Sequence, residues 1–259
     1  MAIQTACQTY ASFEEDWSPE AYLSDYYTEV QPDEQITMRF LVEAAALVGD
    51  NSSLLEFGCG PTVHHLLPFA SRAGEIHVVD YLERNLDAVR RWVDGRDGAW
   101  DWTPFTTFTL SHELGRLPVD HEVREREASL RERVHSFDRA DARRSQPLAA
   151  GSRRAAVVLC CFCPDSITAD LDEWRRCTGH VASLVAPGGW FVLTALGGAD
   201  SYRVGRRRFP SPRVSVDDVA DVLRTAGFAR LGTSITSADA TDDDDHGFDQ
   251  LILAVSRKL

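Results

Sequence analysis

Residues 54–85 read LLEFGCGPTVHHLLPFASRAGEIHVVDYLERN. Leu54 to Phe57 has the composition of a buried strand, Gly58-Cys59-Gly60 that of a tight turn, and about Thr62 to Ser71 that of a helix. A second strand, Ile76 to Val79, ends on Asp80. A glycine turn between a strand and a helix start brings bare backbone N–H groups close to a ligand, and an acid some 20 residues on can hold a ribose diol. The stretch therefore predicts a site for a nucleoside-bearing cofactor. A glycine turn with no ligand is the alternative for so short a motif.

The third glycine of a dinucleotide fingerprint is missing. G-x-G-x-x-G serves close approach to a pyrophosphate, and here Val63 fills the last position, which disfavours dinucleotides. The E-x-G-x-G form, opened by Glu56, resembles the first motif of class I S-adenosylmethionine (SAM) methyltransferases, whose ligand carries an amino acid in place of phosphates.

With 259 residues and 44% hydrophobic content the chain can bury a full core, and one globular enzyme domain is the expectation. A net charge of −13 argues against nucleic acid or an anionic membrane as partner, because the summed field repels both. The cysteines at 160, 161 and 163 have no matching Cys or His pair at zinc-ligand spacing elsewhere, so no metal is expected. There is no signal-like N-terminus and no long apolar run, which together with the unpaired thiols predicts a reduced, cytoplasmic protein.

The first 18 residues are polar and are expected to be mobile. Ser18-Pro19 opens a helix carrying Tyr22, Tyr26 and Tyr27, and a second helix spans about Asp33 to Val48. Beyond Asp80 the pattern predicts helices near 83–93, 120–135, 169–184 and 216–226. Strands are expected near 135–137, 155–162 and 190–193. Such alternation means a parallel sheet with ligands at the carboxyl ends of its strands, where Gly58, Asp80, Asp141 and Cys161 all fall. Strands at 228–236 and 248–255 lack a crossover helix between them and predict a closing antiparallel hairpin. Asp242 to Asp245 between them reads as a solvated loop.

Taken together, Tyr22-Leu23-x-x-Tyr26-Tyr27, Glu56-Phe57-Gly58-Cys59-Gly60-Pro61-Thr62, the VVDYLERNL run, Asp101-Trp102-x-Pro104, Asp141 before Ser145-Gln146-Pro147-Leu148, and Pro187-Gly188-Gly189 resemble the nicotinamide, phenylethanolamine and thioether (indolethylamine) N-methyltransferase family. The resemblance implies an α/β fold: a seven-stranded, mostly parallel Rossmann-like sheet with helices on both faces, a C-terminal antiparallel hairpin, and an N-terminal helical cap. It divides the chain into a cap at residues 1–50 and a methyltransferase domain at 51–259. It implies SAM as cofactor, S-adenosylhomocysteine as product, a small-molecule acceptor and a monomer. Tyr22 and Tyr27 would close over the cofactor, and Gly58, Cys59 and Gly60 behind Glu56 would hold its methionine end. Asp80, Tyr81 and Asn85 would take the ribose, Asp141 and Ala142 the adenine, and Cys161 would lie alongside. His64 stands where relatives place a tyrosine that reaches the methionine carboxylate; a merely packed histidine is the alternative.

Methyl transfer from a sulfonium is an in-line displacement that needs orientation and dryness rather than a catalytic triad, and no catalytic residue is assigned. In amine-methylating relatives an acid ends the strand after Pro-Gly-Gly, and here its place falls on Ala195. Tyr202, Arg203 and Arg206 occupy the segment that lines the acceptor pocket in those relatives, and an arginine fork matches a carboxylate. The preferred expectation is a carboxylate acceptor methylated to an ester, on an apolar body touching Tyr22, Phe162 and Trp190. A neutral or aromatic nitrogen, or a small amine, is the second expectation, and a non-catalytic module of the same fold is the third.

Overall fold

The computed structural model describes residues 10–148, 153–239 and 247–259, so the first nine residues and the Asp242 to Asp245 run lie outside the described residues. Five strands alternate with helices as expected: β1 (Ser52–Phe57), β2 (Ala73–Asp80), β3 (Val134–Arg139), β4 (Ala155–Cys161) and β5 (Val185–Gly197). A short hairpin follows, β6 (Ser201–Val204) and β7 (Arg207–Pro210), and the chain closes with β8 (Phe228–Asp239) and β9 (Gln250–Lys258). The main sheet has seven strands in the order β3-β2-β1-β4-β5-β9-β8. The first five are mutually parallel, while β9 runs antiparallel to both β5 and β8. The order reverses direction beside β1, between β1 and β4, which opens a crevice at the carboxyl ends of those strands.

The period-2 alternation of β1 sends Leu54 to one face and Leu55 to the other. On the first face Leu54, Val78 and Leu159 pack under α3 (Pro32–Ala46), α4 (Glu83–Val93), α5 (Thr103–Leu114) and α6 (Asp120–Arg133). On the second, Leu55, Val158 and Phe191 pack under α7 (Leu171–Ala182) and α8 (Val216–Thr225). Each fully buried leucine or phenylalanine in these layers contributes about 1.5–3 kcal/mol relative to exposure. Helix starts follow the cap chemistry. Asp170 accepts from the N–H groups of Asp172 and Glu173 to open α7, and Ser215 accepts from Asp218 N–H to open α8. Helix α6 is charged almost all round, and Val123 and Leu130 supply its buried seam.

Three expectations change. The helix after the glycine turn is a short 3-10 segment, His64–Phe69, because Pro68 has no N–H to give and its ring obstructs an α-helical turn. Helix α5 and the β6–β7 hairpin were not foreseen. Within the polar N-terminal stretch, residues 10–18 carry a four-residue helix, α1 (Phe13–Asp16), ahead of α2 (Pro19–Tyr26).

Helices α1 and α2 lie across the carboxyl ends of the strands and are fastened on two sides. Toward the hairpin, Ala11 N–H donates to Arg208 O (2.8 Å), Tyr26 Oη to Arg203 O (2.6 Å) and Gly205 N–H to Asp25 Oδ2 (2.5 Å). Toward α4, Trp17 Nε1 donates to Asn85 Oδ1 (2.9 Å), Tyr81 Oη to Glu14 Oε1 (2.6 Å) and Arg84 to the carbonyls of Phe13 and Glu14.

Candidate active site

Beneath α1 and α2 lies a cavity of about 450 Å3, within the range of small-molecule sites. The β1 turn forms its floor. Gly58 (φ +73°) and Gly60 (φ +58°) adopt the left-handed backbone that glycine alone takes without strain. At Gly58 a Cβ would lie 2.2 Å from Cys163 Sγ and 2.5 Å from its Cβ, so glycine is demanded by space as well as by φ.

Asp80 lines the cavity at the end of β2 and is 6% exposed. Its Oδ2 accepts from Gly60 N–H (2.9 Å), and Oδ1 accepts from Leu82 N–H (2.8 Å) and Asn85 Nδ2 (3.0 Å). A carboxylate has about four acceptor sites, so these three bonds leave capacity for a hydroxyl. Burial raises the Asp80 pKa, and the hydrogen bonds act against that rise. Asn85 is held at both ends, between Asp80 and the Trp17 indole.

Tyr22, Tyr27, Cys59, Tyr81, Asp141, Ala142, Cys161, Phe162 and Tyr202 also line the cavity, as the sequence led one to expect. Tyr22 and Tyr27 share a hydroxyl contact of 3.1 Å, and burial raises both phenol pKa values. Phe162 stands at φ +50° directly after β4, with its N–H on Thr194 O.

Six expected site residues do not reach the cavity. Glu56 is 1% exposed beneath the turn, where burial and the Asp80 charge push its pKa well up. His64 is fully buried behind the wall, stacked at 11° on Trp102, and His65 lines the cavity in its stead. Ala195 points into the core on the second face, and its neighbour Leu196 faces the cavity. Trp190 sits four residues before Thr194, the partner of Cys161, so it lies about 13 Å short of the strand end. Arg203 and Arg206 are exposed on the outer hairpin, whose Arg203 backbone carbonyl, not the guanidinium, is used by Tyr26.

Several lining residues were missed. Trp17, Asp25, Asp33, Glu34 and His65 come from the cap, α3 and the 3-10 segment, and no motif connects them. Asp165 is fully buried just behind this wall. It accepts from Leu196 N–H (2.9 Å), and burial pushes its pKa up to about 7. The wall is strongly acidic: Asp25, Asp33, Glu34, Asp80 and Asp141 line it, against Arg143 alone among the arginines. Arg143 is already bound to Glu173 (2.9 Å) and to Ile167 O.

The NNMT/PNMT/TEMT family model matches residues 5–259. Nicotinamide N-methyltransferase of Sus scrofa is 30% identical over 220 residues, covering 82% of each chain. Phenylethanolamine N-methyltransferase of Macaca mulatta is 29% identical over 230 residues, covering 84% of this chain and 80% of its own. Among solved structures, the N-methyltransferase NodS from Bradyrhizobium japonicum, in complex with S-adenosyl-l-homocysteine, aligns over 93% of this chain and 96% of its own. Its TM-score is 0.53 at 14% identity, a likeness of fold. With its sheet order, its glycine turn and the acid closing β2 in place, the chain belongs to the NNMT/PNMT/TEMT family and is a SAM-dependent methyltransferase.

Proposed function

We propose that the chain N-methylates a small nitrogen-bearing acceptor. The charge of the cavity wall carries this reading. With Asp80 and Asp141 on the cofactor, a carboxylate acceptor would enter beside Asp25, Asp33 and Glu34 with one arginine, itself already paired, whereas an amine or a polarised nitrogen heterocycle meets complementary charge there. The related nicotinamide and phenylethanolamine N-methyltransferases support nitrogen over oxygen. The ester expectation rested on Arg203 and Arg206 facing the acceptor and on the lost acid at Ala195. With both arginines outside and Ala195 turned into the core, it loses its support.

The residues present fit SAM. Bare backbone at Gly58 and Gly60, paired tyrosine hydroxyls and an acid with remaining acceptor capacity lie on one cavity of suitable size. In this reading Gly58, Cys59 and Gly60 hold the methionine end with Tyr22 and Tyr27. Asp80 and Asn85 take the ribose, and Asp141 and Ala142 the adenine. Bound SAM supplies an electrophilic methyl on a sulfonium. The chain's part is to orient the acceptor nitrogen against it and to exclude water, for which proximity can supply about 7–11 kcal/mol. Phe162 and Tyr202 offer the acceptor an apolar wall, and the described part of residues 1–50, through α1 and α2, serves as the cap. An alkylammonium must lose a proton before attack, and the acidic wall is where that proton could be received.

Incubation of a panel of amines, azaheterocycles and carboxylic acids with methyl-labelled SAM tests the reading. Base-stable labelled product from a nitrogen compound is expected. Base-labile product from an acid would overturn it.

A further inference from the structure

At the cavity wall Glu34, Glu56, His64 and His65 converge, and most of their polar atoms are buried without a hydrogen bond. His64 Nε2 lies 3.1 Å from Glu34 Oε1, His65 Nε2 lies 3.8 Å from the same oxygen, and His65 Nδ1 lies 3.8 Å from Glu56 Oε1. Yet Glu34 Oε1, both Glu56 oxygens, both His64 nitrogens and His65 Nε2 are buried with no hydrogen bond. His64, His65 and Glu56 are at least nine-tenths buried, and no lysine or arginine pairs with any of the four. Buried donors and acceptors left this way are costly, since each has given up water without gaining a partner.

We infer that Glu34, His64 and His65 form a site for a divalent transition metal of the zinc class. One ligand atom from each of the three lies within 4.8 Å of the others. Two imidazole nitrogens and a carboxylate oxygen are a standard donor set for Zn2+. Tetrahedral ligands at zinc bond lengths stand about 3.4 Å apart, and the separations of 3.1 and 3.8 Å from Glu34 bracket that value. Glu56 faces the other nitrogen of His65, the place an outer carboxylate takes to orient a metal-binding imidazole. Trp102, stacked on His64 at 4.9 Å between ring centres, fixes that ring's plane. The ligands join two separate pieces of chain. Glu34 lies in the first turn of α3, and the histidines open the 3-10 segment after the glycine turn. Glu34 and His65 also line the cavity, so the site borders it. The expectation of no metal came from the lack of a second Cys or His pair at zinc-ligand spacing, a test that passes over histidines adjacent in sequence.

Metal-stripped protein is titrated with Co2+ and read by visible absorption, then with Zn2+ by calorimetry. The expected result is one equivalent bound at micromolar affinity. The d–d bands should be those of a four-coordinate nitrogen and oxygen site, with no thiolate charge-transfer band, and Zn2+ should bleach them. His64→Phe keeps the ring on Trp102 and removes one ligand, and Glu34→Gln removes the anionic one. Each should weaken binding by about a hundredfold or more, with far-UV dichroism reporting that the variant is folded. Absence of binding at millimolar metal, a thiolate band, or unchanged affinity in a folded His64→Phe or Glu34→Gln protein would overturn the assignment. None of these readouts depends on SAM or on methyl transfer, so the inference stands or falls apart from the proposed function.

Discussion

Gly58→Ala tests the floor of the site directly. The added methyl would sit 2.2 Å from Cys163 Sγ and 2.5 Å from its Cβ, at a residue with φ +73°. The left-handed backbone costs a residue with a Cβ about 1–2 kcal/mol, and forcing a carbon into packed space adds about 1–3 kcal/mol. The sum, about 2–5 kcal/mol, is a large share of a domain's stability. Urea unfolding monitored by tryptophan fluorescence should show it as a lowered midpoint at unchanged slope. Any relief by movement of the turn shifts the backbone that faces the cofactor. SAM affinity by calorimetry should then fall at least about tenfold, the equivalent of 1.4 kcal/mol. Cys163→Gly removes both clashing atoms while leaving φ as it was. A double-mutant cycle should therefore return a coupling of about 1–3 kcal/mol. A coupling below about 0.5 kcal/mol, or full SAM affinity in Gly58→Ala, would refute the packing argument.

Asp80→Asn puts an amide NH2 where the donors of Gly60, Leu82 and Asn85 converge, so it should cost about 1–3 kcal/mol of stability and weaken SAM binding at least tenfold by calorimetry. Asp165 has a folded pKa near 7 against about 3.8 unfolded, so the native state holds a proton that the unfolded chain gives up between those values. Stability from this group is present below about 3.8 and is lost as pH rises to about 7. Asp165→Asn should accordingly gain on the parent protein from pH 4 to pH 8 in urea midpoints, and a difference independent of pH would contradict the burial argument. Arg203→Ala and Arg206→Ala should leave kcat and KM within about twofold, because both side chains are exposed outside the cavity and such substitutions usually matter little. Tyr22→Phe removes the hydroxyl paired with Tyr27 and should raise KM for SAM about 2–10-fold, the worth of one net hydrogen bond.

The sheet was legible because its signals are local: apolar runs at strand length, Gly58 and Gly60 between strand and helix, Asp80 on a strand tip. Helix α5 was not, because TPFTTFTLSHEL is rich in threonine and phenylalanine, residues that favour strands. Its Pro104 start and Gly115 stop at φ +66° were the readable clues. Hairpin β6–β7 hides in an arginine-rich run whose one turn signal is Gly205 at φ +57°. At the site, residues within the quoted motif were found, and those converging from separate elements, such as Asp25 and Glu34, were not. Choosing between His64 and His65 required the three-dimensional path of the chain. Adjacent residues of a helix point about 100–120° apart, so only one of the two imidazoles can meet the cavity, and which one depends on the backbone path after the glycine turn. Arg203 and Arg206 misled because position in the chain near a pocket says nothing of side-chain direction on a two-stranded ribbon whose faces alternate.

The fastening of α1 and α2 along both the hairpin and α4 has a kinetic consequence. In the proposed reading reactant and spent cofactor share the chamber that α1 and α2 roof, and widening its exit means parting one row of these stitches. The clock of each turnover would then be set by unlatching rather than by bond-making, and a slowing of kcat in viscous solvent would be its signature.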